Sequence, residues 1–357
     1  MKVFGSPARY YQGAGLLDQI GEFAEPLGTK AALVTDQYVV EIIGDRVEKS
    51  LYAKGISLTV APFEGELTET NVGRLCAILE ADKPDFIIAA GGGKGVDFGK
   101  AVAHRLNLNL MTVPTAASTD APTSKNYVLY DEAHHMTGVF HLRRNPDTVL
   151  VDTQILASAP SILLRFGLGD AIAKRFEARQ CSQVAGKNMF GHQPTITALA
   201  IAEECYAILR ANAEAALNCA GSGQPTPAFE NVVEATILMA GLGFESGGLS
   251  IAHALTRGLP LIPGLETAPH GFLISYGLMV QLKLETQSGK DHGELWDWLP
   301  KLGLPRNLEE LGVTELPDAT KWVEIAKKIQ GAPHMTNFER QIENTELIAA
   351  MEDPSPT

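Results

Sequence analysis

The first part of the chain alternates short apolar runs with segments of helical periodicity. The runs are KAALVTD, ISLTVAPF, DFIIAAGGG, LNLMTVPT, NYVLYDE and TVLVDT. Such a βαβ rhythm predicts a mostly parallel sheet with helices on both faces. The stretch NYVLYDEAHHMTGVFHL predicts an antiparallel hairpin added to that sheet.

The pattern changes after the sequence ASAP at residues 157–160. Long alanine-rich segments of helical periodicity follow, such as ITALAIAEECYAILRANAEAAL. We therefore expect an α/β N-terminal domain over residues 1–157 and an all-α C-terminal domain over residues 158–357. The final residues, MEDPSPT, are polar with two prolines, which predicts a loosely held tail.

A glycine turn interrupts the apolar pattern within PDFIIAAGGGKGVDFGKAVAH, residues 84–104. FIIAA is typical of a buried parallel strand, and helical periodicity resumes after the glycines. A helix start offers unpaired N–H groups, and glycines let a phosphate approach them closely. The turn predicts either an anion-binding site or only the tight strand-to-helix connection of an α/β protein. The spacing fits neither G-x-G-x-x-G nor G-x-x-x-x-G-K-[ST].

Composition and charge exclude several classes of protein. The chain has 357 residues, 45% hydrophobic and 20% charged, which is ordinary for a globular protein. A formal charge of −13 argues against nucleic acid or an anionic membrane as partners. The four cysteines form no C-x-x-C pair, and we see neither a signal peptide nor a membrane span. These features favour a cytoplasmic protein whose cysteines are packing residues.

Polar residues follow two of the predicted strands. Asp36 ends LVTD, where a carboxylate can bind adenosine ribose hydroxyls or simply cap the next helix. The segment LNLMTVPTAASTDAPTSKNY carries Thr115, Ser118, Asp120 and Ser124 close together. Such a segment is typical of a ligand-binding loop, but equally of a turn in which these residues bond the local backbone.

Three glycine-flanked stretches in the second half contain metal-ligand residues: FGLGDAIAKRFEA, GGLSIAHALTRGLP and ETAPHGFLISYG. Asp170, His253 and His270 would form a one-carboxylate, two-imidazole set of the kind found at catalytic zinc sites. Each has a structural alternative: a helix cap for Asp170, a buried core histidine for His253, and a turn for His270. Separations of 83 and 17 residues do not decide between them.

Several motifs in this order resemble the bacterial glycerol dehydrogenases, a family within the metal-dependent, iron-type alcohol dehydrogenase superfamily. They are GGGKGVDFGKA, PTAASTDAPTS, GLGDAIAKRFEARQCS, GFESGGLSIAHAL and PHG, together with SPARYYQGAG and APFEGE. The resemblance implies the architecture shared with dehydroquinate synthase: an N-terminal nucleotide-binding domain, a helical domain, and a cleft for NAD, a divalent metal and a small polyol.

The resemblance also assigns roles to individual positions. Asp170, His253 and His270 match the zinc ligands, and Asp120 matches the residue that contacts glycerol. The positions that match nucleotide-contacting residues are Asp36, Gly92, Gly93, Lys94, Thr115, Ser118, Ser124, Asn126 and Tyr130. Relatives form homo-oligomers, often octamers, so we expect the same of this chain.

Three departures from the family pattern lie close to the expected chemistry. The chain has HALTRGL where HAVHNGL is usual, which places Thr256 where a second histidine could relay protons. It has HGFLISYG where HGEKVAFG is usual, so Phe272 replaces a glutamate. Asn126 replaces a usually apolar residue. These changes concern the substrate more than the cofactor.

The leading hypothesis is a reversible, NAD- and zinc-dependent oxidation of glycerol to dihydroxyacetone, extending to other vicinal diols. Bound zinc lowers the pKa of an alcohol, so no strong protein base is required. One alternative is a dehydrogenase for another small diol or a hydroxy acid. A lyase related to dehydroquinate synthase, or a non-catalytic nucleotide-binding protein, are further alternatives. The lyase would need more basic residues than Lys174, Arg175, Arg179 and Arg257 provide.

Overall fold

The computed structural model describes residues 1–132 and 135–356. The strands are β1 Arg9–Gly13, β2 Lys30–Thr35, β3 Ser57–Pro62, β4 Phe86–Gly91, β5 Asn109–Pro114, β6 Asn126–Tyr130, β7 Met136–His141 and β8 Thr148–Asp152. The helices are α1 Ile20–Ala24, α2 Gln37–Ala53, α3 Glu69–Asp82, α4 Gly93–Leu106, α5 Thr153–Ser158, α6 Ser161–Gln183, α7 Ile196–Cys219, α8 Pro227–Val233, α9 Ala240–Gly247, α10 Ile251–Leu255, α11 His270–Leu284, α12 Gly289–Trp298, α13 Ala319–Gln330 and α14 Asn344–Glu352. A π-helical turn, Glu234–Met239, connects α8 and α9.

The chain divides into two compact units. The sheet unit comprises Gly5–Leu163 and Cys219–Gly241, and the helical unit comprises Met1–Phe4, Leu164–Asn218 and Leu242–Thr357. The predicted architecture, an α/β part followed by a helical part, is confirmed. The functional division into residues 1–157 and 158–357 stays a prediction.

The sheet unit contains a six-stranded parallel sheet with the order β1-β8-β5-β4-β2-β3. Ala32 and Ala89 point to the face that α3 and α4 cover. Leu33 and Ile88, which alternate with them, are fully buried on the opposite face. Both faces are therefore covered, as parallel sheets require.

Helix starts in this unit follow directly from the sequence. The Asp36 side chain accepts a hydrogen bond from the Val39 N–H at 2.9 Å and caps α2. The Thr68 hydroxyl accepts from the Asn71 N–H at 3.2 Å and caps α3. A side-chain oxygen at the N-cap satisfies a backbone donor that the first helical turn leaves unpaired.

The predicted hairpin forms, but β6 and β7 make a separate two-stranded antiparallel sheet instead of extending the larger one. Residues 133 and 134 of that stretch lie outside the described residues. The edge strand β1 was not predicted, because RYYQG has no apolar run to reveal it. It pairs in parallel with β8.

The helical unit surrounds an apolar core to which α10, α11, α13 and α14 contribute. The expectation of a loosely held tail is wrong for the residues before Thr357. The Lys283 Nζ donates to the Ser355 carbonyl, and the His292 Nε2 donates to the Pro354 carbonyl, each at 2.8 Å. These two contacts fix the tail to α11 and α12. All four cysteines are buried and free, as expected of packing residues.

Candidate active site

The order of the sheet strands creates a reversal point between β2 and β4. The chain goes from β2 outward to β3 and then returns to the other side of β2 at β4. Ligands of open parallel sheets bind at the carboxyl ends of the strands at such a reversal. Asp36 follows β2 and Gly92 follows β4, so both flank this point.

The glycines between β4 and α4 serve two different purposes. A Cβ on Gly95 would lie 2.3 Å from the Ala90 carbonyl oxygen, and one on Gly99 would lie 2.1 Å from the Ala89 Cβ. Those two glycines are required for α4 to pack on β4. Gly92, the N-cap of α4, has φ −74°, and its nearest contact would be Ser118 Oγ at 3.8 Å. Because packing does not require glycine there, its lack of a side chain suits close approach of an external group.

The loop after β5 lies against this glycine turn. The Thr115 N–H donates to the Gly91 carbonyl at 3.0 Å. Ser118 Oγ is the atom nearest to the position of a Gly92 side chain, and Thr119 Cγ2 is 3.2 Å from that of Gly93. Thr115, Ser118, Gly92 and Gly93 therefore form one polar cluster at the strand ends.

A buried lysine that was not singled out in the sequence holds the rest of this loop. The Lys100 Nζ donates to the carbonyls of Ala121 and Asn126 at 2.5 and 2.6 Å, and to Ser124 Oγ at 3.3 Å. It also lies 3.6 Å from Asp97 Oδ1. The sequence signal is the D-x-x-K spacing on α4 directly after the glycine turn. Lys100 thus positions Ser124 and Asn126 through their backbone and hydroxyl groups.

The other predicted nucleotide positions have varied surroundings. Lys94 is half-exposed, with its Nζ 3.3 Å from Glu66 Oε1. Asn126 Oδ1 lies 2.6 Å from the His141 ring. Burial raises the pKa of Tyr130 to about 12, so its hydroxyl stays protonated at neutral pH. Asp36 serves as the cap that the sequence offered as its structural alternative, and its ribose role stays a prediction.

Asp120 is buried in the sheet unit, at the start of the short 3-10 helix Ala121–Thr123. The Thr123 hydroxyl lies 3.1 Å from the Asp120 carbonyl and 2.8 Å from the Ile237 carbonyl. A Cβ on Gly241 would lie 1.9 Å from the same hydroxyl. Thr123 therefore links the backbone that carries Asp120 to the segment at residues 237–241.

In the helical unit, Asp170, His253 and His270 come together. They lie on α6, α10 and α11, and their potential ligand atoms are all within 4.8 Å of one another. Asp170 Oδ1 lies 3.3 Å from His253 Nε2 and 3.9 Å from His270 Nε2. Asp170 is inside α6 and does not cap it, which excludes its structural alternative. We call these three residues the ligand set.

Glycines allow the helices of the ligand set to approach one another closely. A Cβ on Gly169 would lie 2.2 Å from the Gly271 carbonyl oxygen, and one on Gly271 would lie 1.8 Å from the Phe166 carbonyl oxygen. A Cβ on Gly277 would lie 2.7 Å from the Ala252 carbonyl oxygen. Backbone contacts next to each ligand residue therefore bring α6, α10 and α11 together.

Glu177 orients His253 and was missed in the sequence. Its Oε2 lies 2.5 Å from His253 Nδ1, while Oε1 accepts from the backbone N–H groups of Ser250 and His253. Fixing Nδ1 directs Nε2 toward Asp170, as carboxylate partners do for metal-bound histidines. Glu177 follows Asp170 by seven residues, two helical turns along the same face of α6.

Charge in this cluster is balanced internally. The Lys174 Nζ lies 2.6 Å from Asp170 Oδ1 and 3.1 Å from His253 Nε2. Burial opposes ionisation of Asp170, but Lys174 and His253 outweigh it and lower the pKa of Asp170. Burial also opposes the imidazolium form of His253, but the Glu177 carboxylate outweighs it and raises the pKa of His253. The carboxylate and imidazole donors suit a divalent metal such as zinc.

The two departures beside the ligand set have clear structural places. The Thr256 hydroxyl donates to the His253 carbonyl at 2.7 Å and closes α10. Phe272 packs edge-on against Phe166, with ring centroids 4.9 Å apart. Both residues support the helices that carry the ligand set.

Comparison with known proteins defines the class. Residues 7–153 match the family model described as iron-containing alcohol dehydrogenase. The chain is 38% identical over 314 residues to a glycerol dehydrogenase of Escherichia coli O6:H1, covering 88% of this chain and 86% of that protein. It is also 38% identical over 312 residues to a glycolaldehyde reductase of Halobacterium salinarum, with 87% and 86% covered. Fold, ligand set and relatives together define an alcohol dehydrogenase of the metal-dependent type.

The solved structure of glycerol dehydrogenase from Schizosaccharomyces pombe superposes with a TM-score of 0.93, 31% identity, and coverage of 98% of this chain and 89% of that one. The chain belongs to the iron-containing alcohol dehydrogenase family. The predicted resemblance, fold class and enzyme class are thereby confirmed. Within residues 1–132 and 135–356, no single helix has the length and hydropathy to span a membrane. Among the described residues, one pair of helical segments, Pro227–Gly247 and Ile251–Leu261, has sufficient length and hydropathy when taken together, but the pair is sharply bent.

Proposed function

We propose that this protein oxidises glycerol to dihydroxyacetone reversibly with NAD and zinc, and accepts other vicinal diols. The ligand set carries the proposal: Asp170, His253 and His270 converge from three helices, and Glu177 fixes one of them. Support for glycerol comes from a relative of that name at 38% identity over most of both chains.

We assign cofactor binding to the sheet unit and metal binding to the helical unit, close to the division at residue 157. Gly92 and Gly93 would present backbone N–H groups to the pyrophosphate. The carboxylate of Asp36 would accept ribose hydroxyls and repel a 2′-phosphate, which favours NAD over NADP. Lys94, Thr115, Ser118, Ser124, Asn126 and Tyr130 would complete the nucleotide contacts.

When bound, NAD would accept the hydride and zinc would stabilise negative charge on the alcohol oxygen. Asp170, His253 and His270 would hold the metal, and Glu177 would keep His253 in the required tautomer. Asp120 would accept a hydrogen bond from a substrate hydroxyl and orient the polyol. Other divalent metals also suit this donor set.

The test is a substrate panel of polyols, diols and hydroxy acids with metal-loaded protein, followed by NADH absorbance. We expect glycerol and vicinal diols to give the highest kcat/KM, and chelation to abolish turnover reversibly. Metal-free protein, verified by elemental analysis, that still oxidised glycerol at the normal rate would disprove the metal's role. Asp120 would then be the first candidate base.

A second candidate is oxidation of a small hydroxy acid. The buried Lys174 ammonium beside the ligand set favours it, because a cation there could pair with a substrate carboxylate. A higher kcat/KM for a hydroxy acid than for any polyol in the same panel would select this function.

Assembly into a homo-oligomer stays a prediction, and the octamer that is frequent among relatives is one candidate form. Light scattering coupled to size-exclusion chromatography measures it directly. A monomer at micromolar concentration would contradict it.

A further inference from the structure

Lys174 lies directly beside the ligand set. Its side chain is only 2% exposed, and its Nζ contacts two of the three donors, Asp170 Oδ1 at 2.6 Å and His253 Nε2 at 3.1 Å. The Phe244 ring covers it, with the ring centroid 4.9 Å from Nζ. Asp170 and Lys174 are four residues apart on α6, so the helix itself holds them side by side.

The donors that Lys174 contacts are the ones a metal would require. Zinc binds carboxylate oxygen and imidazole nitrogen at about 2.0–2.2 Å. An ammonium group uses the single lone pair of the imidazole nitrogen, and one of the carboxylate's lone pairs, for its charge-assisted hydrogen bonds. The two cations would also repel each other strongly at such a distance within a buried cluster. Lys174 in its present position and a metal on the full ligand set therefore exclude each other.

We propose that Lys174 is an internal cation that competes with the metal for Asp170 and His253. This proposal rests on the proposed metal site and deepens it. In metal-free protein the ammonium neutralises the buried Asp170 carboxylate and keeps the ligand set in place. Metal binding displaces the flexible lysine side chain, so the wild-type sequence binds its metal more weakly than its three donors would allow.

The decisive variant is Lys174→Met, which keeps an unbranched side chain one atom shorter and removes the charge. The matched control is Arg175→Met on the next residue, which removes the same charge. Arg175 pairs with Glu203 at 2.7 Å, outside the ligand set. Each protein is stripped of metal, checked by elemental analysis, and titrated with Zn²⁺ against a chromophoric chelator of known affinity.

We expect Lys174→Met to lower the zinc Kd by about 10- to 100-fold, the factor by which losing one charge-assisted hydrogen bond of the competing state shifts the equilibrium. Arg175→Met should leave the Kd within about twofold of wild type because it does not contact the ligand set. Metal-free Lys174→Met should also have a lower Tm than wild type, since Asp170 loses its buried partner. Adding zinc should raise the Tm of Lys174→Met by more than it raises the Tm of wild type.

Lys174→Arg provides a second test that does not depend on the methionine variant folding. A guanidinium keeps the charge and pairs well with carboxylates, so zinc should bind no more tightly than to wild type. Unchanged zinc Kd in both Lys174 variants would overturn the competition while leaving the metal site intact. If neither wild type nor any variant bound zinc, the proposed metal function would fail together with it.

Discussion

The two units of this protein place their candidate functional residues in different ways. In the sheet unit, Asp36 and Gly92 each follow a strand directly, and the strands are neighbours in the sheet. In the helical unit, Asp170, His253 and His270 come from three helices that are far apart in sequence. Their proximity depends on backbone contacts at Gly169, Gly271 and Gly277. The sequence does not show which helix each of these glycines contacts.

This difference determines how each unit should respond to mutation. A parallel sheet brings all its carboxyl strand ends to one edge, so a single substitution there should change ligand binding with little effect on folding. The ligand set depends on helix packing, so substitutions beside it should change metal binding and stability together.

The largest effect should come from the ligand set itself. We expect His270→Ala to lower zinc affinity and kcat/KM by at least about 100-fold. This exceeds the effect of losing a residue that only hydrogen-bonds to a metal ligand. NAD affinity should remain close to wild type, because the nucleotide positions belong to the sheet unit. His192→Ala in the same unit is the control, and NAD binding lost together with zinc would contradict the division of roles.

Gly271→Ala should cost about 3 kcal/mol or more of unfolding free energy, because a Cβ 1.8 Å from a backbone oxygen forces α6 and α11 apart. Gly293→Ala on α12 is the control, since nothing lies within 4 Å of its added Cβ. The control should gain about 0.5–1 kcal/mol from helix propensity. Equal denaturant midpoints for the two variants would refute this account of helix packing.

Glu177→Gln should raise the zinc Kd by about 10- to 100-fold, because a neutral amide orients the His253 ring less strongly than a carboxylate. Glu203→Gln is the matched control on an exposed glutamate. The measurement is the same chelator competition. A rise in Kd without altered NAD affinity would assign Glu177 to positioning the ligand set.

Gly92→Ala should raise the NAD Kd by about tenfold while the protein stays folded, since φ −74° and a nearest contact of 3.8 Å accommodate the methyl group. Fluorescence titration with NADH and a thermal melt measure both properties. If the folded Gly92→Ala variant bound NAD as tightly as wild type, the glycine turn would not be the phosphate-binding site.

The smallest effect should be on cofactor choice. Asp36→Asn keeps a side-chain oxygen for the cap of α2 and removes the charge, so stability should change little. The ratio of kcat/KM for NAD to that for NADP should fall by about tenfold, because the carboxylate no longer repels the 2′-phosphate of NADP. Equal use of both cofactors by the unmodified protein would already contradict the role of Asp36.

The sequence by itself determined the features that depend on neighbours along the chain. Apolar runs predicted β2, β3, β4, β5, β6 and β8, and the glycine turn located the start of α4. Asp36 could be predicted as a cap because a helix start needs a nearby side-chain oxygen to accept a hydrogen bond from its backbone. Strand β1 could not be predicted, because its own composition does not indicate a strand. It is a strand because it pairs with β8.

Only the tertiary structure decided how the ligand set is assembled and balanced. Asp170, His253 and His270 could be named from motifs, but their convergence requires three helices in backbone contact. Lys100, Lys174 and Glu177 each have a charged neighbour on their own helix, but the roles of these residues depend on partners from elsewhere in the chain: Asn126 for Lys100, and His253 for Lys174 and Glu177. A buried charge is stable only beside its partner, and which partner lies beside it is a property of the fold and not of the sequence.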